Sequence, residues 1–180
     1  LPARQYRDVY RQAIRHCVLR RAFLLIDTPT DVETPGQLRS WLSTVEELRS
    51  THAAVNFPRL RIPDPRREGS ELTVSPSGTV AGIYARTDEA MGVWKAPAGD
   101  RAKLKGTRGF SCDLQDKDVD ALNPQAVNCL RQLPRFGPVV WGARTFARRD
   151  GSTTEFRYVS VRRLACYVEE SIVQGTQWIV

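Results

Sequence analysis

The sequence predicts an α/β protein with a mostly parallel sheet flanked by helices. Three observations point there. An amphipathic helical pattern opens the chain, two short apolar runs at Ala22 to Ile26 and Ala53 to Phe57 have the length and bounds of buried strands, and a helix start at Thr34-Pro35-Gly36-Gln37 lies between them. Strand, helix and strand in that order imply right-handed crossovers and parallel pairing, with helices covering the sheet.

In the first element Tyr6, Val9, Tyr10, Ala13, Ile14 and Cys17 recur at three- and four-residue spacing while Arg4, Arg7, Arg11 and Arg15 fill the other face. Ala22 to Ile26 is closed by Asp27-Thr28-Pro29, as expected of a buried strand. Thr34 supplies a capping hydroxyl, Pro35 stands at the first helical position, and Gln37 lies three residues after the cap; Leu38, Trp41, Leu42, Val45 and Leu48 then form one apolar face. Pro58 to Ser70, with three prolines and Arg59, Arg61, Arg66 and Arg67, reads as an exposed connection.

Further on, Ser77 is expected to cap a helix through Thr79 to Ala85 with Val80, Ile83 and Tyr84 on one face, Gly78 and Gly82 permitting close approach of a neighbouring backbone. Asp116 to Leu122 reads as a short helix ended by Asn123-Pro124. Val127 to Leu133 and Val139 to Thr145 read as strands joined through Pro134 to Pro138. After a polar turn at Arg148 to Thr154, the residues Val161, Leu164, Val168 and Ile172 mark a last amphipathic helix, with Gly175 as its expected end.

At 180 residues the chain has room for one domain, or for one domain and the opening of a second. It begins at Leu1 and stops on the apolar run Trp178-Ile179-Val180, so both ends are expected to be cut. A hydrophobic share of 41% and a charged share of 26% place it among globular rather than disordered proteins. The longest aliphatic run is too short to cross a bilayer and nothing near the start resembles a signal peptide, which predicts a protein made in the cytoplasm. Cys17, Cys112, Cys129 and Cys166 are widely separated with no CxxC pair, which favours free core thiols over disulfides or zinc. The net charge is +7, carried mostly by arginine, and arginine suits carboxylates at protein interfaces as well as phosphates.

The catalytic inventory is empty. No phosphate loop, dinucleotide turn, nucleophile elbow or paired zinc histidines occur. His16 and His52, the two histidines, read as solvated surface residues. Asp116, Asp118 and Asp120 imitate a calcium loop, but Ala121 and Val127 stand where glycine and a bidentate carboxylate are needed, so a helix N-terminus enriched in acids is the better account. No cofactor and no metal are expected.

Three runs carry a family resemblance. PSGTVAGIYARTDEAMGVWKAPAG, Pro76 to Gly99, resembles the signature of contractile tail sheath proteins of phages, phage-tail-like bacteriocins and extracellular injection systems. LNPQAVNCLRQLPRFGPVVWGART, from Leu122, is similar to the family segment that runs from an asparagine-proline turn to Trp141-Gly142-Ala143-Arg144-Thr145. FRYVSVRRLACYVEESIVQGTQW, from Phe156, resembles its tyrosine, valine and double-arginine helix. Together they cover more than a third of the chain in the family's order.

What the resemblance implies is a subtilisin-like sheath core without the protease's triad over residues 1–155, and from residue 156 the truncated start of a smaller α+β C-terminal sheath domain. It implies a structural subunit and no enzyme. Such subunits are expected to stack as hexameric rings in a helical array around an inner tube protein, to meet a baseplate and a tail terminator, and to contract so that the tube is driven through a target envelope. The expected place is a virion tail or phage-tail-like particle, without membrane insertion of this subunit and without nucleic acid. Arg86, Asp88, Lys95, Arg144, Arg162 and Arg163, in or beside the family-like runs, are candidates for positioning or inter-subunit pairs, pairing within the domain being equally open. Trp94 and Trp141 are expected in core or domain-junction packing. The runner-up reading is a basic nucleic-acid-binding module, motivated by the charge; a hydrolase on the same scaffold stands third, on fold analogy alone.

Overall fold

A computed structural model describes residues 3–148 and 155–179. Its elements are α1 (Ala3–Leu19), β1 (Leu24–Ile26), α2 (Pro35–Thr44), β2 (Ala53–Phe57), β3 (Leu60–Pro63), β4 (Glu71–Val74), α3 (Ser77–Met91), β5 (Gly109–Phe110), α4 (Asp116–Leu122), β6 (Val127–Leu133), β7 (Gly137–Trp141) and α5 (Val159–Thr176). The main sheet has the order β1-β2-β6-β7. Its first three strands are parallel and β7 returns antiparallel against β6, so the sheet is mixed.

Alternation along β2 divides the core. Ala53, Val55 and Phe57 face α1, α2 and α4, where Tyr6, Leu38, Leu42, Val119 and Leu122 close one apolar cluster. Ala54 faces the other way, with Leu130 and Val140, onto Val80, Ile83 and Tyr84 of α3 and Val159 of α5. Helices therefore cover both faces, which is why all five residues of β2 are buried. Each such Leu, Val or Phe contributes about 1.5–3 kcal/mol by leaving water.

Several elements form as their local chemistry dictates. Thr34 caps α2: its Oγ1 accepts from the Gln37 N–H at 3.3 Å, and the Gln37 side chain accepts from the Thr34 N–H at 2.9 Å. β2, α4 and β6 occupy the expected residues. The acidic start of α4 is a helix terminus: Asp118 accepts from the Gln115 N–H at 3.0 Å and Asp116 pairs with Arg131.

Other expectations are corrected. Pro58 to Ser70 is no plain connection, because Leu60 and Ile62 alternate into the second cluster and make β3, paired antiparallel with β4 and β5 in a separate sheet. Pro63 is tolerated as the last residue of β3. α3 runs on from Ala85 to Met91, and a Cβ added at Gly78 or Gly82 would meet nothing within 4 Å outside the helix's own backbone, so no neighbouring backbone packs there. β7 stops at Trp141 rather than Thr145. α5 passes through Gly175 to Thr176, and the second half of its predicted apolar face, Val168 and Ile172, is exposed. Most of the polar turn expected at Arg148 to Thr154 lies outside the described residues.

Candidate functional site

The three family-like runs meet where α3 and α5 pack on the sheet. Ser77 does not cap α3. It stands at the first helical position, and its N–H and hydroxyl donate to the Asp27 carboxylate at 3.1 and 2.7 Å, so the cap comes from the residue after β1. Asp27 is in turn fixed by α1, its N–H donating to the Tyr10 hydroxyl and its carbonyl accepting from that of Tyr6.

Near the other end of α3 two of the predicted site residues find each other. Arg163 of α5 pairs with Asp88 through both guanidinium nitrogens, Nη1 to Oδ1 at 3.0 Å and Nη2 to Oδ2, while its Cζ lies 4.9 Å from the centre of the Tyr84 ring. A planar fork on a carboxylate, backed by an aromatic face, holds the two helices in one register. Arg21 also pairs with α5, its guanidinium 3.6 Å from Glu169 and 3.3 Å from Glu170.

Between α3, α5 and β1 lies a groove of about 660 Å³, lined by Phe23, Leu25, Tyr84, Trp94, Cys166 and Tyr167 among others. Trp94 is 66% exposed, which places it outside the core of these residues. Its ring lies over Gly92, whose φ is +97°: a Cβ there would meet ring carbons at 2.2 Å. The glycine thus serves both the backbone turn that ends α3 and the seat of the indole. Gly92→Ala is expected to displace the Trp94 ring and destabilise the fold by about 1–2 kcal/mol, since a side chain at positive φ adds strain to the clash; a near-wild-type urea midpoint with unchanged tryptophan fluorescence would refute it.

The second run is explained by one buried amide. Asn128 of β6 donates from Nδ2 to the Arg144 carbonyl at 2.8 Å and accepts at Oδ1 from the Arg144 N–H at 2.7 Å. Gly142, with φ +143°, lets the loop pass so close that a Cβ would lie 3.0 Å from Asn128 Oδ1 and 3.1 Å from its Cα. The loop then receives the start of α5: the Thr145 N–H donates to the Arg157 carbonyl, its hydroxyl to that of Phe156, and the Val159 N–H to the Ala143 carbonyl. Arg144 is therefore a positioned main-chain residue. Trp141 is 39% exposed, also outside the core of these residues.

Of the remaining candidates, Arg162 stacks 3.7 Å over the Phe156 ring, Arg86 donates to the Lys103 carbonyl at 2.9 Å, and Lys95 is exposed. Only Asp88 and Arg163 are brought together as a pair. Sequence reasoning missed Asp27, Arg49 and Asn128. An asparagine inside the apolar run Val127 to Leu130 was a readable signal, because a polar residue in a buried strand needs a partner; Arg49 offered none.

Chemically the region is a scaffold. Among the described residues no group of acids, histidines and cysteines is placed to hold a metal. His52 is half-buried rather than solvated; burial and then the charge of Arg162 lower its pKa. All four cysteines are free, as expected, and burial pushes the Cys129 thiol up to about 12 and the Cys112 thiol to about 11. Asp27 and Ser77 touch, but their hydrogen bonds go to helix capping. Among the described residues no helix is long and apolar enough to cross a membrane.

No family model matches the chain. Over 103 residues it is 28% identical to the tail sheath protein of Vibrio phage KVP40, which covers 57% of this chain and 15% of that protein. Among solved structures, a chain of the anti-feeding prophage baseplate is 33% identical, with a TM-score of 0.68 over 88% of this chain. A chain of the anti-feeding prophage helical sheath in its contracted state is 30% identical, with a TM-score of 0.70 over 97% of this chain. What the chain is similar to is the contractile tail sheath proteins. The members it matches are structural proteins rather than enzymes. The chain spans 38% and 44% of those two solved chains, well under two thirds of either.

Proposed function

We propose that this chain is part of a structural subunit of a contractile tail sheath, one that polymerises around an inner tube and contracts to drive the tube through a target envelope. The observation that carries the reading is the likeness of nearly the whole chain to a sheath in its contracted state at 30% identity. Its partners are then other copies in stacked hexameric rings, the inner tube protein, a baseplate and a tail terminator. The protein is made in a bacterial cytoplasm and built into a virion tail or phage-tail-like particle.

Within that reading, residues 1–155 form part of a subtilisin-like core and residue 156 opens a smaller C-terminal domain. The placement of α5 fits such a junction. Its first half is anchored by Val159, Cys166 and the Asp88–Arg163 pair, while Val168, Ile172 and Val173 stand in solvent beyond the core. Asp88, Arg163, Arg144 and Arg162 then act as positioning residues inside the subunit, and Trp94, Lys95 and Arg86 face outward or line its loops. Energy for contraction comes from alternative packings of neighbours, since a packed interface has discrete states and no bond need be broken.

The runner-up, a basic nucleic-acid-binding module, gains no support from Arg59, whose guanidinium donates to the Thr28 carbonyl at 3.2 Å. The test is assembly. Protein expressed from its whole coding sequence, alone or with its tube, is expected to form hollow cylinders or stacked rings in negative-stain micrographs; protein that stays monomeric in both settings would refute the sheath reading.

A further inference from the structure

The groove between α3, α5 and β1 has a composition the fold does not require. Phe23, Leu25 and Tyr84 line it. Trp94 and Tyr167 also line it, yet are 66% and 61% exposed. The Trp94 ring packs on Gly92 alone of the glycines, and Tyr167 lies one residue past the buried Cys166. Tryptophan, tyrosine and arginine around an apolar pocket are the residues that dominate binding energy at protein interfaces.

We propose that this groove is a socket between neighbouring subunits, filled in the assembled sheath by an apolar segment of a second copy. The proposal rests on the sheath reading and adds the place where copies grip one another. Charge favours this occupant. A chain of net charge +7 repels its own copies over most of its surface. At the groove, however, Arg163 is paired with Asp88 and Arg21 with both Glu169 and Glu170, which leaves one negative charge in excess. Like chains can approach there without a charge penalty, and an acidic partner finds no free cation among these pairs to attract it.

Shape adds a second argument. A concave site must receive a convex part of the next copy. Where that contact runs head-to-tail it repeats into rings or open helical arrays. The chain carries convex apolar surface of the required kind: Val9, Val18 and Leu19 on α1 are 49%, 49% and 69% exposed, and Ile172 on α5 is 58% exposed.

The experiment places the photo-crosslinker p-benzoylphenylalanine at position 94 of the protein expressed from its whole coding sequence, mixing isotopically heavy and light copies before assembly. Illumination of cylinders is expected to give dimers and higher ladders whose linked peptides are mixed heavy and light. Cylinders whose crosslinks stay within one copy, reach a different protein, or do not form would overturn the socket while leaving the sheath reading intact. Absence of cylinders from the unsubstituted protein, with and without tube, would remove both. As a second measurement, Trp94→Ser with Tyr167→Ser is expected to lower assembly yield at least 10-fold with an unchanged thermal midpoint, and assembly at the unsubstituted level would overturn the socket.

Discussion

Asn128→Leu is expected to destabilise the chain by about 2–4 kcal/mol, because it leaves the Arg144 N–H and carbonyl without the two hydrogen bonds that the amide supplied in a site with no exposure. Leucine is close in shape, so the cavity cost is small and the loss reports the hydrogen bonds. For a chain of this length the thermal midpoint should fall by roughly 6–12 °C. Asn128→Asp should do no better: a carboxylate still accepts from the Arg144 N–H but sets negative charge against the Arg144 carbonyl. Urea denaturation of both variants decides the matter, and a change below about 0.5 kcal/mol in either would refute the role given to this amide. The consequence reaches α5, whose first turn hangs from the same loop through Ala143 and Thr145.

Replacing Arg49 should have an effect of similar size. Its side chain is 1% exposed, with Nε and Nη2 on the Glu46 carboxylate at 2.6 and 3.0 Å and Nη1 shared between the Ala147 carbonyl at 3.2 Å and that of Gln125 at 3.4 Å. The guanidinium also lies 4.6 Å from the centre of the Phe146 ring. It therefore joins three segments: the turn after α2, the turn after α4, and the strand-like bridge at Phe146 that pairs with Ser50 and Ala53 at the mouth of β2. Arg49→Met keeps most of the apolar stem and loses every polar contact, for an expected cost of about 2–4 kcal/mol. Arg49→Lys should recover little, because one ammonium cannot serve a carboxylate through two nitrogens and also reach two carbonyls. Full recovery with lysine, measured by the urea midpoint, would show that charge rather than the planar fork is what the site needs.

The contrast between what was legible and what was not follows the range of the interactions. α2 could be read because its start is written in four consecutive residues, Thr34 to Gln37. β2 was readable to the residue because it is a short run buried on two faces, where no alternation is needed, and the first four residues of β6 are buried in the same way. β3 was hidden: its two inward residues, Leu60 and Ile62, are separated by arginine and bracketed by prolines, and a four-residue strand forms only because β4 and β5 flank it. The exposed state of Trp94 was hidden for another reason, since hydrophobicity predicts burial on average and here the ring lies on a glycine at the rim of a groove.

From the chain alone came the α/β class, the capped second helix, the buried strands, the free cysteines, the lack of recognisable catalytic motifs, and through three ordered runs the resemblance to sheath proteins. The helix cap and the strands depend on residues within a few positions of one another, where backbone geometry and side-chain capping act directly. Only the tertiary structure decided that Asp27 caps α3 from 50 residues away, that Asp88 meets Arg163 across 75, that Asn128 holds the Arg144 loop, and that Arg49 is buried. Those contacts arise when crossovers bring distant segments together. Burial then makes an unpaired polar group costly, so the partner is set by the packing of the sheet and its helices rather than by any local pattern.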